Sequence, residues 1–113
     1  MDKQEELRYP IGKFEYGKTY SIGDTKRNIR IIAALPKDLK KIIKKISKHQ
    51  LDKPYRSGGW TVRQVVHHLG DSHINAYIRM KMAVTEKNPV IKPYDERAWA
   101  ELESGRDASI KVS

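Results

Sequence analysis

The stretch that decides the fold is residues 60–85, WTVRQVVHHLGDSHINAYIRMKMAVT. Thr61 and Gln64 have the Thr-x-x-Gln spacing of a capping box, and an apolar-periodic run follows at once. Apolar residues that recur every three or four positions then predict a helix over about residues 62–85. The stripe consists of Val62, Val65, Val66, Leu69, His73, Ala76, Tyr77, Met80 and Val84.

A second helical stripe lies upstream of this stretch. We predict an irregular arm over residues 1–23 and a helix over about residues 24–48, with Asp24 as its N-cap. Pro36 interrupts the helix, and because proline removes a backbone hydrogen bond we expect a kink or a break there. The apolar positions are Ile29, Ile32, Leu35, Leu39, Ile42 and Ile46.

The remaining residues predict one further short helix. Asn88-Pro89 and Lys92-Pro93 indicate an extended linker, because proline disfavours helix at the residue before it. Residues 95–103 then read as a short helix with Trp99 on its apolar side. The pattern as a whole predicts an all-α chain and a single domain over residues 1–113.

Composition limits what this domain contains. Hydrophobic residues make up only 38% of the 113 residues, which is lean for a small domain, so we expect some of the intended burial to lie outside the chain. The chain has no cysteine, which excludes disulfides and thiolate metal ligands. Any metal would therefore be held by histidine and carboxylate side chains.

The chain is strongly basic, with a formal net charge of +9 at pH 7. Much of the excess lies in the helix predicted at residues 24–48, where lysines alternate with isoleucine and leucine. This pattern is typical of an amphipathic helix with a lysine-rich solvent face. A nucleic-acid-binding module is the alternative, but it would more often add arginines and exposed aromatic residues. We favour the solvated face and expect no nucleic-acid partner.

The start of the chain bears on its location. Residues 1–6 are polar and acidic and do not form the basic and apolar regions of a secretory signal. No apolar run approaches the roughly 18 residues of a membrane span. We therefore expect a cytoplasmic protein with no membrane association.

Three of the four histidines lie close together, at His67, His68 and His73. Neighbouring residues on a helix point about 100° apart, so His67 and His68 cannot both bind one metal ion without strain. Spacing alone thus allows one histidine ligand per metal from this helix. His73 lies within the apolar stripe and is expected to be a hydrogen-bonded core residue. His49 lies at a helix end, where a cation is favourable.

Residues 55–75, YRSGGWTVRQVVHHLGDSHIN, resemble the central motif of the YfiT-like metal-dependent hydrolases in the DinB superfamily. The resemblance continues through residues 93–96 and Trp99, and upstream through residues 9–12 and 50–56. It covers about residues 7–103. A similarity of this length is far more specific than any single motif.

The resemblance implies a four-helix bundle that holds zinc or nickel, one divalent ion per complete subunit, through three histidines. When the family motif is matched to this sequence, the resemblance assigns His68 as the metal ligand from the second helix, with His67 as the alternative. The helical wheel also leans slightly toward His68 as the residue that borders the apolar arc. The catalytic residues and the small-molecule substrate stay unknown, and a homodimer is expected.

By the same resemblance, the third helix of the family would begin at about Ser113. The third and fourth helices and two of the three histidine ligands would then be absent. We therefore expect a truncated and inactive hydrolase. The alternatives are a bacillithiol-type thiol transferase of the same superfamily and a non-enzymatic helical module that dimerises through its apolar stripes.

Overall fold

The computed structural model describes residues 2–113, and within this range the all-α prediction is confirmed because no β-strand forms. An isolated bridge pairs Pro54 with Thr61. The chain divides into two compact units, with the boundary between Gln50 and Leu51. The helices are α1 (Lys3–Arg8), α2 (Ile22–Ile43), α3 (Lys48–Leu51), α4 (Val62–Thr85), α5 (Glu96–Glu101), α6 (Glu103–Arg106) and a 3₁₀ helix (Ile110–Val112).

The arm that was predicted to be irregular contains helix α1. Asp2 is its N-cap, and the Asp2 carboxylate accepts a hydrogen bond from the backbone N–H of Glu5 at 2.8 Å. Glu5 lies in the first turn and Arg8 in the last, and the helix dipole favours this placement of a negative and a positive charge. The prediction of an arm without a helix is therefore wrong, because local capping was overlooked.

Helix α2 begins and ends earlier than predicted. Ser21, not Asp24, is the N-cap, and the two side chains form a capping box. Pro36 lies inside the helix without ending it. The helix ends at Ile43, and Ser47 then caps α3. The Ser47 hydroxyl accepts from the backbone N–H of Gln50 at 3.2 Å, while the Gln50 side chain accepts from the backbone N–H of Ser47 at 2.8 Å.

Helix α4 is the longest element and carries the predicted capping box of Thr61 and Gln64 at its start. Its first two turns contain all four of its buried residues, and α5, α6 and the 3₁₀ helix pack against it. No residue beyond His67 in this helix is buried. The fully buried part of the helix is therefore its beginning, and the residues of its second half are half-buried or exposed.

The short helix predicted at residues 95–103 is divided at Leu102 into α5 and α6. Gly105 of α6 is buried, and a Cβ at this position would lie 3.0 Å from the carbonyl oxygen of Trp99 and 3.1 Å from that of Ala100. Such contacts are tighter than most Cβ atoms make, so a side chain here would require the neighbouring backbone to shift by a few tenths of an ångström. Glycine therefore allows α6 to fold back against the end of α5.

None of the helices within residues 2–113 is both long enough and apolar enough to cross a lipid bilayer.

Candidate functional site

The candidate site is the start of α4, where polar side chains are buried against the elements that cover it. Gln64 is only 5% exposed, and its amide nitrogen donates to the carbonyl oxygen of Ala100 at 2.8 Å. Its amide oxygen accepts from the backbone N–H of Thr61 at 2.9 Å. One side chain therefore caps α4 and fixes α5 against it.

Arg63 links α4 to the segment before it and to the last residues. Its Nε donates to the carboxylate of Asp52 at 2.7 Å, and Nη1 donates to the carbonyl oxygen of Ala108 at 3.1 Å. The hydrogen bond to Asp52 raises the pKa of Arg63, while burial opposes this rise. The guanidinium therefore stays charged and holds both segments in place.

His67 is buried and uses both ring nitrogens for hydrogen bonds. Nε2 lies 2.9 Å from the carbonyl oxygen of Ala108, and Nδ1 contacts the hydroxyl of Ser113. Because a carbonyl oxygen only accepts, Nε2 carries a proton and donates to Ala108, while the Ser113 hydroxyl, which can donate or accept, bonds to Nδ1. Both ring nitrogens are thus engaged. His67 therefore acts as a structural link rather than as an exposed solvated residue.

His68, the next residue, has a different environment. It is half-buried, and its ring packs against the Trp60 indole with a centroid distance of 4.8 Å and an interplanar angle of 52°. Within residues 2–113 its ring nitrogens form no hydrogen bond to protein. The ring is held by an aromatic contact, while a nitrogen lone pair stays available.

The other two histidines lie outside this arrangement. His73 is exposed, so the prediction of a hydrogen-bonded core histidine is wrong. The physical reason is that α4 is fully buried only over its first two turns, and His73 lies beyond them. His49 in α3 is also exposed.

No three histidine, aspartate or glutamate side chains within residues 2–113 converge closely enough to hold a metal ion. The residues described therefore do not by themselves fit a resident metal. His68 as ligand, with His67 as the alternative, stays a prediction. The structure brings neither of them together with His49 or His73 in such a group.

A cleft of about 530 Å³ opens beside the start of α4. Aromatic and glycine residues from the segment before α4 form one side, and charged residues of α5 form the other. Gly59 is required at this wall, since a Cβ there would lie 2.7 Å from the Cγ of Arg56. The lining residues are Tyr55, Arg56, Gly58, Gly59, Trp60, Gln64, Glu96, Arg97 and Glu101.

Sequence reasoning missed the roles of Arg63 and His67 in the buried network. Both side chains bond to the backbone of Ala108, which is 45 and 41 residues away along the chain. Every residue has a backbone carbonyl, so the sequence does not show which one accepts these hydrogen bonds. The available clue was that Arg63 lies in the first turn of a helix whose start was predicted to be packed, beside Val62, Val65 and Val66.

The chain is therefore a helical protein whose longest helix presents two neighbouring histidines. One ring bonds through both of its nitrogens, and the other packs on Trp60. Residues 31–112 match the DinB superfamily, and the chain belongs to this superfamily.

Relatives and a solved structure agree with this membership. A Bacillus mycoides protein named "putative metal-dependent hydrolase" is 57% identical over 98 residues, which are 87% of this chain and 57% of the relative. A Bacillus cereus protein of the same name is 58% identical over 97 residues, covering 86% of this chain and 56% of the relative. The chain thus spans little more than half the length of these relatives.

The structure of YfiT from Bacillus subtilis matches 95% of this chain and 61% of the YfiT chain, with a TM-score of 0.88 and 46% identity. YfiT is described as a "probable metal-dependent hydrolase" with an unusual four-helix bundle topology. The likeness to a four-helix bundle protein, which the sequence predicted, is confirmed.

Proposed function

We propose that this chain supplies the α4 part of a metal-dependent hydrolase that acts on a small molecule, with the His68 imidazole as one metal ligand. The names of the two Bacillus relatives and the description of YfiT support the hydrolase assignment. The chain spans little more than half the length of those relatives, so we propose the activity for a protein of their full length.

The observation that carries the choice of ligand is the contrast between the two neighbouring histidines. A metal ligand needs a free nitrogen lone pair on a neutral imidazole. The His67 ring already bonds to Ala108 and Ser113. The His68 ring is held by Trp60 through its face, which fixes the ring without using a nitrogen.

The proposed ion is zinc or nickel, since imidazole is a common ligand for both. When bound, such an ion lowers the pKa of a coordinated water or polarises a substrate group. A catalytic zinc site has three protein ligands and an open position, and residues 2–113 contain no group of three. We therefore assign His68 a ligand role and assign no reaction step to the residues described.

The test joins this chain to the part of the Bacillus mycoides relative outside the 98 matched residues. The bound nickel and zinc of the purified fusion are then measured for the parent, for His68→Ala and for the matched variant His67→Ala. We expect His68→Ala to lower the bound metal at least tenfold. His67→Ala should retain most of the metal, provided that far-UV circular dichroism shows a folded protein.

The reverse pattern would make His67 the ligand. Equal metal content in all three proteins would remove both histidines from the site. Hydrolysis of ester and amide substrates by the metal-loaded fusion then tests the activity, and no turnover of any substrate would count against the hydrolase proposal.

A further inference from the structure

We propose that one face of α2 binds single-stranded nucleic acid by following its phosphate backbone. Residues 1–50 contain 13 lysines and arginines against six aspartates and glutamates, so they hold +7 of the formal net charge of +9. The face, which we name the basic strip, is exposed to solvent at each of its six cationic positions. These positions are Lys26, Arg30, Lys37, Lys40, Lys41 and Lys44.

The basic strip runs along one continuous helix. A break at Pro36 would have divided its cations between two segments, but α2 continues through Pro36 from Ile22 to Ile43, and Lys44 is its C-cap. At about 100° per residue, the six side chains fall within an arc about 100° wide. At about 1.5 Å per residue, they extend over about 27 Å. The helix therefore presents a single narrow line of positive charge.

No carboxylate lies within the basic strip. Asp24 and Asp38 are about 100° and 60° beyond its edge on the helical wheel. Asp24 is also engaged in the capping box and pairs with Arg27 at 3.3 Å. None of the six cations forms an ion pair within residues 2–113. Because a row of unpaired cations attracts a chain of anions, the partner that fits it is a linear polyanion.

The other side of α2 is the one that packs. Leu35 and Leu39 lie about 180° and 220° from Lys26 around the helix, and both are half-buried. Apolar packing of α2 therefore uses the side opposite the basic strip. Burial of unpaired ammonium groups is strongly unfavourable, so the strip stays in water whatever packs against the apolar side.

Exposed aromatic rings lie in the same compact unit, which ends at Gln50. Phe14 and Tyr16 are 70% and 91% exposed, and their ring centroids are 4.9 Å apart. Lys13 and Lys18 flank this pair along the chain. Unpaired bases stack on exposed aromatic rings while their phosphates follow cationic side chains, and proteins that bind single strands combine these two contacts.

A single strand fits this combination better than a duplex does. The bases of a duplex are stacked on one another and are not free to stack on Phe14 or Tyr16. The expectation of a solvated lysine face without a nucleic-acid partner was based on the lack of such aromatic residues, and it is the competing outcome. The proposal does not depend on metal binding or on hydrolysis.

The experiment titrates the 113-residue chain into a fluorescein-labelled thymidine oligonucleotide of about 20 nucleotides, long enough for one binding site, and follows its anisotropy. If the six cations each neutralise one phosphate, the logarithm of the affinity should fall with the logarithm of the KCl concentration with a slope of about −4. A uridine oligoribonucleotide of the same length should bind within about threefold, because phosphates and base faces are common to DNA and RNA.

Substitutions on the basic strip locate the contact. Lys37→Gln and Lys41→Gln should each weaken binding at least threefold and make the salt slope shallower by about 0.7. Lys87→Gln is the matched control, because Lys87 is equally an exposed lysine but lies after α4. It should leave the slope unchanged. All three side chains are exposed, and far-UV circular dichroism checks that each variant keeps its helical content.

A substitution in the aromatic pair tests stacking separately from charge. Tyr16→Ala should weaken binding at least fivefold without changing the salt slope, since no charge is removed. Tyr77→Ala, which removes another exposed tyrosine, is the control and should leave binding unchanged.

Four results would overturn the proposal. The first is no change in anisotropy at about 100 µM protein in 50 mM KCl, a condition under which even nonspecific binding is detected. The second is an equal effect of Lys37→Gln and Lys87→Gln, because the net charge and not the basic strip would then be responsible. The third is binding confined to one of the two oligonucleotides. The fourth is tighter binding to phosphatidylserine vesicles than to the thymidine oligonucleotide, which would assign the strip to a lipid surface.

Discussion

At the scale of single residues, the neighbours His67 and His68 differ because their partners differ. Both lie in the same turn of the same helix, so helix propensity and position along α4 are closely matched. One ring bonds to the backbone of Ala108 and to Ser113, and the other packs on Trp60. The pair therefore forms an internal comparison between a structural histidine and a candidate ligand.

This comparison predicts unequal effects on stability. His67→Ala in the 113-residue chain leaves the half-buried Ala108 carbonyl without one donor, and we expect it to lower the free energy of unfolding by about 1–3 kcal/mol. His68→Ala loses one aromatic contact, which is worth about 0.5–1 kcal/mol. Urea denaturation followed by far-UV circular dichroism measures both. A larger loss for His68→Ala would contradict the structural role of His67.

The residue scale also shows where sequence reasoning fails. His73 was predicted to be buried because it shares a helix face with apolar residues. Periodicity shows which residues share a face, but it does not show whether that face is covered. The partners of His67 lie 41 and 46 residues away and include a backbone carbonyl, so no local pattern indicates them. The position of His68 on α4 was predictable, whereas its available lone pair required the structure.

At the scale of helices, the ends are decided by capping. The start of α4 was predictable because Thr61 and Gln64 stand directly before an apolar run. The start of α2 was misplaced because Asp24, a good cap by itself, is the N3 residue of a capping box whose N-cap is Ser21. Periodicity predicted a helix to about residue 48, whereas α2 ends at Ile43 and a separate helix, α3, follows the reciprocal hydrogen bonds of Ser47 and Gln50.

The α2 capping box predicts a pH dependence. Hydrogen bonds from the backbone N–H and the hydroxyl of Ser21 lower the pKa of Asp24 below its ordinary value of 3.8. The stabilisation is therefore fully present above pH 3.8 and is lost as the pH falls through the lower pKa of the folded chain. An NMR titration of the Asp24 carboxyl should give a midpoint below 3.8.

Ser21→Ala removes the hydroxyl donor, so it should move this midpoint upward, toward 3.8. Ser47→Ala alters the cap of α3 instead and is the control, which should leave the Asp24 midpoint unchanged. A midpoint insensitive to Ser21→Ala would mean that the hydroxyl does not bond to the carboxylate in solution.

At the scale of the whole molecule, the chain offers individual donors but no assembled metal site. No group of three histidine and carboxylate side chains forms within residues 2–113, and a single imidazole does not form a chelate. The overall helical class and the superfamily were predictable from the sequence, since both depend on long patterns. The small number of fully buried apolar side chains within residues 2–113 was indicated only indirectly, by the low hydrophobic content.

Zinc titrated into the 113-residue chain by calorimetry should therefore bind weakly and without fixed stoichiometry. A zinc ion held by one histidine keeps water at its other coordination positions and dissociates readily, so its affinity for the chain is low. A one-to-one site with a submicromolar Kd, about −8 kcal/mol or tighter, would contradict this expectation and would show that the ligands lie elsewhere in the chain.

Gly105, which lets α6 fold back on α5, also has a consequence for how the gene can vary. Every single-base change that alters the meaning of a glycine codon introduces a side chain or a stop. At this position even the smallest side chain would meet the backbone oxygens of Trp99 and Ala100 at 3.0 and 3.1 Å. Only synonymous changes at this codon leave the packing as it is, and every other single-base change requires the backbone at Trp99 and Ala100 to shift or ends the chain.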